Sequence, residues 1–216
     1  LEKLVVPGNT SLDIDDRAME LIEEYGVEPM ILGYHASFAD RPYPAATCVS
    51  INDVVVHGIP NESPQTIEEG DIVSIDLVIG HRGLIVDSAR TVGAGKISKD
   101  AQALIDVTRN ALSAGIDAAQ AGGWVRDIGA AIEKVVPKRF GIIETFCGHG
   151  VGYALHEEPI IPNFVMPGKS HQLKPGMVLA IEPMITLGGI DVEILEDGYT
   201  AITKDGSLAA HMEHTV

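Results

Sequence analysis

Gly70-Asp71-Ile72-Val73-Ser74-Ile75-Asp76 and Gly176-Met177-Val178-Leu179-Ala180-Ile181-Glu182 each read as an apolar strand that ends in an acid. Upstream of both, the pattern Cys-x8-His-x2-Pro occurs twice, as Cys48, His57 and Pro60 and again as Cys147, His156 and Pro159, a constant 99 residues on. Self-similarity at that scale is the mark of a duplicated structural unit. Two αβ units related by a pseudo-twofold would bring Asp76 and Glu182 together on facing strands, with His57 and His156 opposite one another. The chain is therefore expected to form one domain over residues 1–216, with halves of about 1–95 and 96–216.

Local patterns fill in the rest. Thr10 and Ser11 are candidate N-caps of a helix running to Tyr25, with Ala18, Leu21 and Ile22 on one face and Gly26 as its stop. Short strands are expected over 30–32 and 47–51, joined by a loop over 35–46 that carries Asp40, Pro42 and Pro44. Residues 71–79 and 84–92 form a hairpin about a turn at 80–83. Ser98 caps a helix to about Ala121, and a second helix over 125–136 ends at Pro137. Further strands are expected over 142–146, 178–186, 191–195 and 199–203. Helices and strands come in runs and do not strictly alternate, which favours an α+β class over a doubly wound sheet.

Bulk properties exclude several functions. The chain of 216 residues has a formal net charge of −16 and a pI near 4.7, with no basic stripe, so nucleic acid is not an expected ligand. No apolar run approaches the ~20 residues of a membrane span. Cys48 and Cys147 supply neither a disulfide framework nor a Cys-x-x-Cys motif, and no secretory signal is present, which points to the cytoplasm. Because Leu1 is not a methionine and Val216 falls in a strand-like stretch, segments are expected to be missing at both ends.

The acids inside apolar strands need an explanation that solvated surface acids do not. Asp76 follows Val73-Ser74-Ile75, Asp87 follows Leu84-Ile85-Val86, and Glu182 follows Val178-Leu179-Ala180-Ile181. Burying such carboxylates without partners costs several kcal/mol each. Arg90 is the nearest cationic candidate, and a divalent cation is the simpler compensation. Asp76, Asp87, Glu182 and Glu213 with one imidazole are too charged a set for a structural zinc and suit two divalent ions with bridging carboxylates. His149, flanked by glycines in Gly148-His149-Gly150, is assigned to metal, and the repeat-related His57 and His156 are expected to face substrate as proton carriers or hydrogen-bond donors. The remaining histidines, among them His81 and His171, are expected at the surface.

In order along the chain, Asn52 through Val-Val-His57-Gly-Ile-Pro60, Asp76, Asp87, Gly148-His149-Gly150, His156-Glu-Glu-Pro159, Ile-Glu182-Pro183-Met184 and Glu213-His-Thr closely resemble the methionine aminopeptidases. The resemblance covers nearly the whole chain, and the short interval from His156 to Glu182 is similar to type I rather than type II. It implies the pita-bread fold, two pseudo-twofold halves around a central antiparallel sheet. It also implies that Asp76 and Asp87 hold one metal, His149 and Glu182 the other, and that Asp87 and Glu213 bridge them. Glu182 is then the proton shuttle, His156 stabilises the oxyanion, and His57 binds the scissile amide nitrogen. The methionine pocket implied by the resemblance comprises Tyr34, His35, Cys48, Phe146, Leu155 and Tyr199. This sequence departs from the family at Tyr199, where tryptophan is usual, at Leu155, where phenylalanine is usual, and in a longer interval from His35 to Cys48.

The resemblance implies removal of initiator methionine from nascent polypeptides or peptide N-termini by a monomer, with two divalent ions drawn from cobalt, manganese, iron or zinc. Ribosome docking follows from the family's role, although no basic patch supports it. Two rivals are an X-Pro aminopeptidase or prolidase of the same fold and a metal-free binding module. His-Gly-Ile-Pro and Ile-Glu-Pro-Met speak against the first, and the intact ligand set against the second.

Overall fold

A computed structural model describes residues 1–216. Helix α1 (Ser11–Tyr25) begins with a capping box, in which Thr10 accepts from the Asp13 amide and Asp13 accepts from the Thr10 amide, and ends at Gly26 in the left-handed region, φ 64°. Its buried face is Ile14, Ala18 and Ile22, at the four-residue spacing of one helical stripe. Helix α2 (Lys99–Ala118) is capped by Ser98, whose hydroxyl accepts from the Ala101 amide at 3.0 Å, and α3 (Val125–Val135) stops before Pro137. Helices α2 and α3 pack on each other and cover the second-half strands through Ala111, Ile128, Ile132, Ile161, Leu179 and Ile181. Burying each large aliphatic side chain stabilises the fold by about 1.5–3 kcal/mol.

The first half is organised by the hairpin Ile72–His81 and Leu84–Gly93, paired over ten positions from Ile72 with Gly93 to His81 with Leu84. Its turn is the two-residue Arg82-Gly83, both at positive φ, and is shorter than the four-residue turn the composition suggests. Such a turn matches the right-handed twist of the strands. On the other edge of Ile72–His81 lie Cys48–Ile51 and Glu28–Pro29. The second half forms a sheet in the order His214–Thr215, Leu179–Ile181, Gly148–Gly150, Glu157–Ile161. Backbone bonds in both directions between Ala89 and Glu213, at 2.8 and 3.3 Å, and two between Asp87 and the Thr215 hydroxyl, at 2.8 Å, join the hairpin to the C-terminal strand. That seam brings the acids of the two halves together.

Several elements differ from expectation for stated reasons. The strand expected over 178–186 divides into Leu179–Ile181 and Met184–Thr186, because Pro183 has no N–H for a ladder. The pieces join different sheets, Met184–Thr186 pairing with Ala209–His211 and Gly141–Ile142. Residues 30–32 form a bend and the start of a turn after the pairing strand Glu28–Pro29, and the strand expected over 142–146 is only Gly141–Ile142. Val54–Val56, Gly148–Gly150, Glu157–Ile161 and Ala209–His211 carry no long alternation and are not evident from pattern.

Candidate functional site

Strand geometry places the acids in pairs. Asp76 lies opposite Ala89 and Asp87 opposite Val78, so the two carboxylates are diagonal neighbours on one face of the hairpin. In the second half His149 lies opposite Ala180, and Glu182 is two residues beyond Ala180, so His149 and Glu182 are placed comparably. Pairing of His214 with Ile181 and of His211 with Met184 keeps one register through Pro183, which puts Glu213 opposite Glu182. The glycines beside His149 are there because the chains pass so closely: a Cβ at Gly148 would strike the Ala180 carbonyl, and one at Gly150 the Glu158 carbonyl.

The side chains converge. His149 Nε2 lies 3.4 Å from Glu182 Oε1 and 3.9 Å from Asp87 Oδ2, and Asp87, His149 and Glu213 each offer a ligand atom within 4.8 Å of the others. Asp76 Oδ1, Asp87 Oδ1 and Glu213 Oε1 are buried with no hydrogen-bond partner. No lysine or arginine reaches them: Arg90 is paired with Glu2 at 3.0 Å, and Arg17, Arg41, Arg109 and Arg139 pair elsewhere. Lost hydration, followed by repulsion from neighbouring carboxylates, pushes Asp76, Glu182 and Glu213 well above the usual carboxylate range. Asp87, which keeps hydrogen bonds, is raised by lost hydration to about 6. A centre that disfavours its own negative charge this strongly is suited to a divalent cation, which reverses the sign of the local field.

Beside the acids opens a cavity of about 240 Å³, lined mainly by apolar groups. Tyr34, Cys48, Phe146, Leu155 and Tyr199 are in its wall, and so are His57, His149 and His156 with Asp76, Asp87 and Glu182. Glu213 is buried behind it, 4% exposed. His35 is absent from the wall; it is exposed and its Nε2 is tied to the Ala39 carbonyl at 2.9 Å. Tyr199 is seated by donating to the Arg41 carbonyl at 2.5 Å and by an edge contact with Tyr43 at 5.1 Å. Lost hydration holds His57 down to about 4, so its imidazole is neutral at pH 7, and pushes His149 and His156 in the same direction. His57 adopts φ 60°, an uncommon backbone for a residue with a Cβ, and its Nδ1 is unpartnered.

Sequence reasoning missed some wall residues. Ile31, Phe38 and Tyr43 come from the irregular segment before Cys48, where no periodicity assigns a face. His211 corrects the expectation that the remaining histidines are superficial: His81 and His171 are exposed, but His211 is 2% exposed. Its Nε2 has no partner and sits 3.7 Å from Glu182 Oε2 and 3.9 Å from Glu213 Oε2. The available signal was its spacing of two from Glu213, which puts both on one face of a strand.

The geometry has close counterparts among known proteins. The family model described as metallopeptidase family M24 matches residues 1–216. A methionine aminopeptidase of Aquifex aeolicus is 46% identical over 215 residues, covering 98% of this chain and 83% of its own. One from Treponema pallidum is 44% identical, covering 99% and 81%. A crystal structure of methionine aminopeptidase from Thermotoga maritima superposes with a TM-score of 0.93 at 40% identity, covering 99% of this chain and 84% of that one. An X-Pro aminopeptidase from the same organism gives a TM-score of 0.69 at 19% identity over 98% of this chain and 50% of its own, a likeness of fold alone. The architecture is the α+β pita-bread fold.

Proposed function

The chain belongs to metallopeptidase family M24, and on that premise we propose that it is a methionyl aminopeptidase, a dimetal hydrolase that removes the N-terminal methionine from peptides and nascent proteins. The observation that carries this reading is the convergence of four carboxylates and His149 beside an apolar cavity, with no cationic side chain among them. No helix is long and apolar enough to cross a membrane.

The residues fit a divalent cation: they are oxygen-rich, three of their buried oxygens lack partners, and His149 adds a borderline nitrogen donor. Asp76 and Asp87 would hold one ion, His149 and Glu182 a second, with Asp87 and Glu213 shared; cobalt, manganese, iron and zinc all suit such donors. When bound, these ions supply a water acidic enough to ionise near neutral pH and polarise the scissile carbonyl.

The chain's own groups do the rest. The Glu182 carboxylate takes the proton of the attacking water and returns it to the leaving amine. His156, at the cavity mouth, donates a hydrogen bond to the carbonyl oxygen as negative charge grows there. His57, neutral, contacts the scissile amide nitrogen from the opposite wall. Cys48, Tyr34, Phe146, Leu155 and Tyr199 enclose the methionine side chain and exclude water from it.

Methionine release from Met-Ala-Ser after metal stripping and stepwise add-back of each ion tests the reading. Activity is expected to return with divalent cation and to fall roughly 1000-fold in Asp87→Asn. Cleavage of X-Pro peptides with no release from Met-Ala-Ser would overturn it.

A further inference from the structure

The two histidines that face substrate are held differently. The imidazole of His156 meets His149 on one side, ring centroids 4.4 Å apart, and Tyr34 on the other at 5.6 Å. The Tyr34 hydroxyl is 3.0 Å from His156 Nδ1 and makes no other side-chain hydrogen bond. Tyr34 belongs to the first half of the chain and His156 to the second, so this contact spans the cavity mouth. The backbone of Tyr34 is itself pinned: its amide donates to the Ile31 carbonyl at 2.9 Å, and its carbonyl accepts from the Tyr43 amide at 2.8 Å.

We propose that Tyr34 is a positioning residue that donates its phenolic hydrogen to His156 Nδ1 and so keeps the imidazole proton on Nε2. A neutral imidazole carries one N–H and one lone pair, and the partner of one nitrogen decides the role of the other. With Nδ1 occupied as acceptor, Nε2–H is the only donor the ring has left, and it is the donor that an oxygen gaining negative charge requires. In the opposite tautomer Nε2 would turn a lone pair toward that oxygen, and attraction would become repulsion. The tether also holds a side chain at the open end of the cavity, where packing alone would leave it free to rotate. Tyr34 thus does more than enclose the methionine side chain. The inference rests on the proposed role of His156 in peptide hydrolysis.

Tyr34→Phe keeps the ring in the wall and removes only the hydroxyl. Nitrogen-15 NMR of the zinc-loaded protein, with His156 identified by the signal lost in His156→Gln, reads the protonation of each ring nitrogen. The wild type is expected to show an unprotonated Nδ1 and a protonated Nε2, and Tyr34→Phe a mixture of tautomers. On Met-Ala-Ser, kcat of Tyr34→Phe should fall roughly 10- to 100-fold, the usual cost of removing a partner that orients a functional imidazole, with KM within about twofold. A protonated Nδ1 in the wild type, an unchanged kcat, or a loss expressed wholly in KM would each overturn the inference. A wild-type protein inactive on Met-Ala-Ser would overturn the functional reading alone, since the NMR result is independent of turnover.

Discussion

Replacing Asp87 by asparagine should stabilise the metal-free protein at neutral pH while removing its response to metal. Asp87 is 6% exposed, faces the carboxylates of Asp76 and Glu213, and has one oxygen with no partner. Lost hydration raises its folded pKa to about 6, against 3.8 for the ordinary group. Two pKa units correspond to about 3 kcal/mol that the fold spends in holding the group ionised. The sign follows directly: a raised carboxyl pKa means that the cost is full above pH 6, shrinks as pH falls through 6, and is gone below 3.8. Asparagine has nearly the same shape, carries no charge, and can donate to the flanking carboxylates. Allowing for imperfect geometry, the gain is about 1–3 kcal/mol, or roughly 3–10 °C in Tm for a chain of this size. Calorimetric melting in the presence of chelator at pH 7.5 and at pH 4.5 measures it. Asp87→Asn should melt higher at pH 7.5 and keep only about a third of that advantage at pH 4.5, which lies between the two pKa values. Added divalent ion should raise the wild type by mass action and the variant far less. A variant that melts below wild type at pH 7.5, or an advantage undiminished at pH 4.5, would refute the account of a charge-burdened centre.

Two further outcomes follow from other elements. His211→Phe preserves the buried ring but removes the nitrogen that lies between Glu182 and Glu213, so calorimetric titration should show divalent-ion affinity reduced roughly 10-fold or more with the fold intact; wild-type affinity would show that the imidazole only fills space. Ser98→Ala deletes the hydroxyl that caps α2 and should lower stability by about 1 kcal/mol in urea melts without changing kcat, and a change in kcat would reveal coupling between this distant cap and the site.

Much of the site was legible because strand chemistry is local. An acid at the end of an apolar run declares itself by the cost of burying it, and the period of two along Ile72–His81 and Leu84–Gly93 is enough to put Asp76 and Asp87 on one face once the hairpin is recognised. Helix ends were equally readable at Thr10, Gly26 and Ser98, since capping groups lie within a turn of the amides they satisfy or of the left-handed residue they require. His211 and Tyr43 were not legible. His211 sits in a three-residue strand whose face depends on pairing with Met184, and Tyr43 reaches the cavity from a segment with no regular conformation. His35 shows the converse: next to Tyr34 in sequence, it is drawn out of the wall by a hydrogen bond to Ala39.

Residue type and spacing therefore determined which side chains cannot be ordinary: the acids in apolar strands, the imidazole between two glycines, and the repeated histidines. The meeting of the halves was decided by tertiary structure alone, through the seam between Ala89 and Glu213 and the single register carried across Pro183. The physical reason is range. Periodicity and capping are settled within a few residues, whereas the convergence of Asp87, His149 and Glu213 depends on pairings more than sixty residues apart, which only the closed fold specifies.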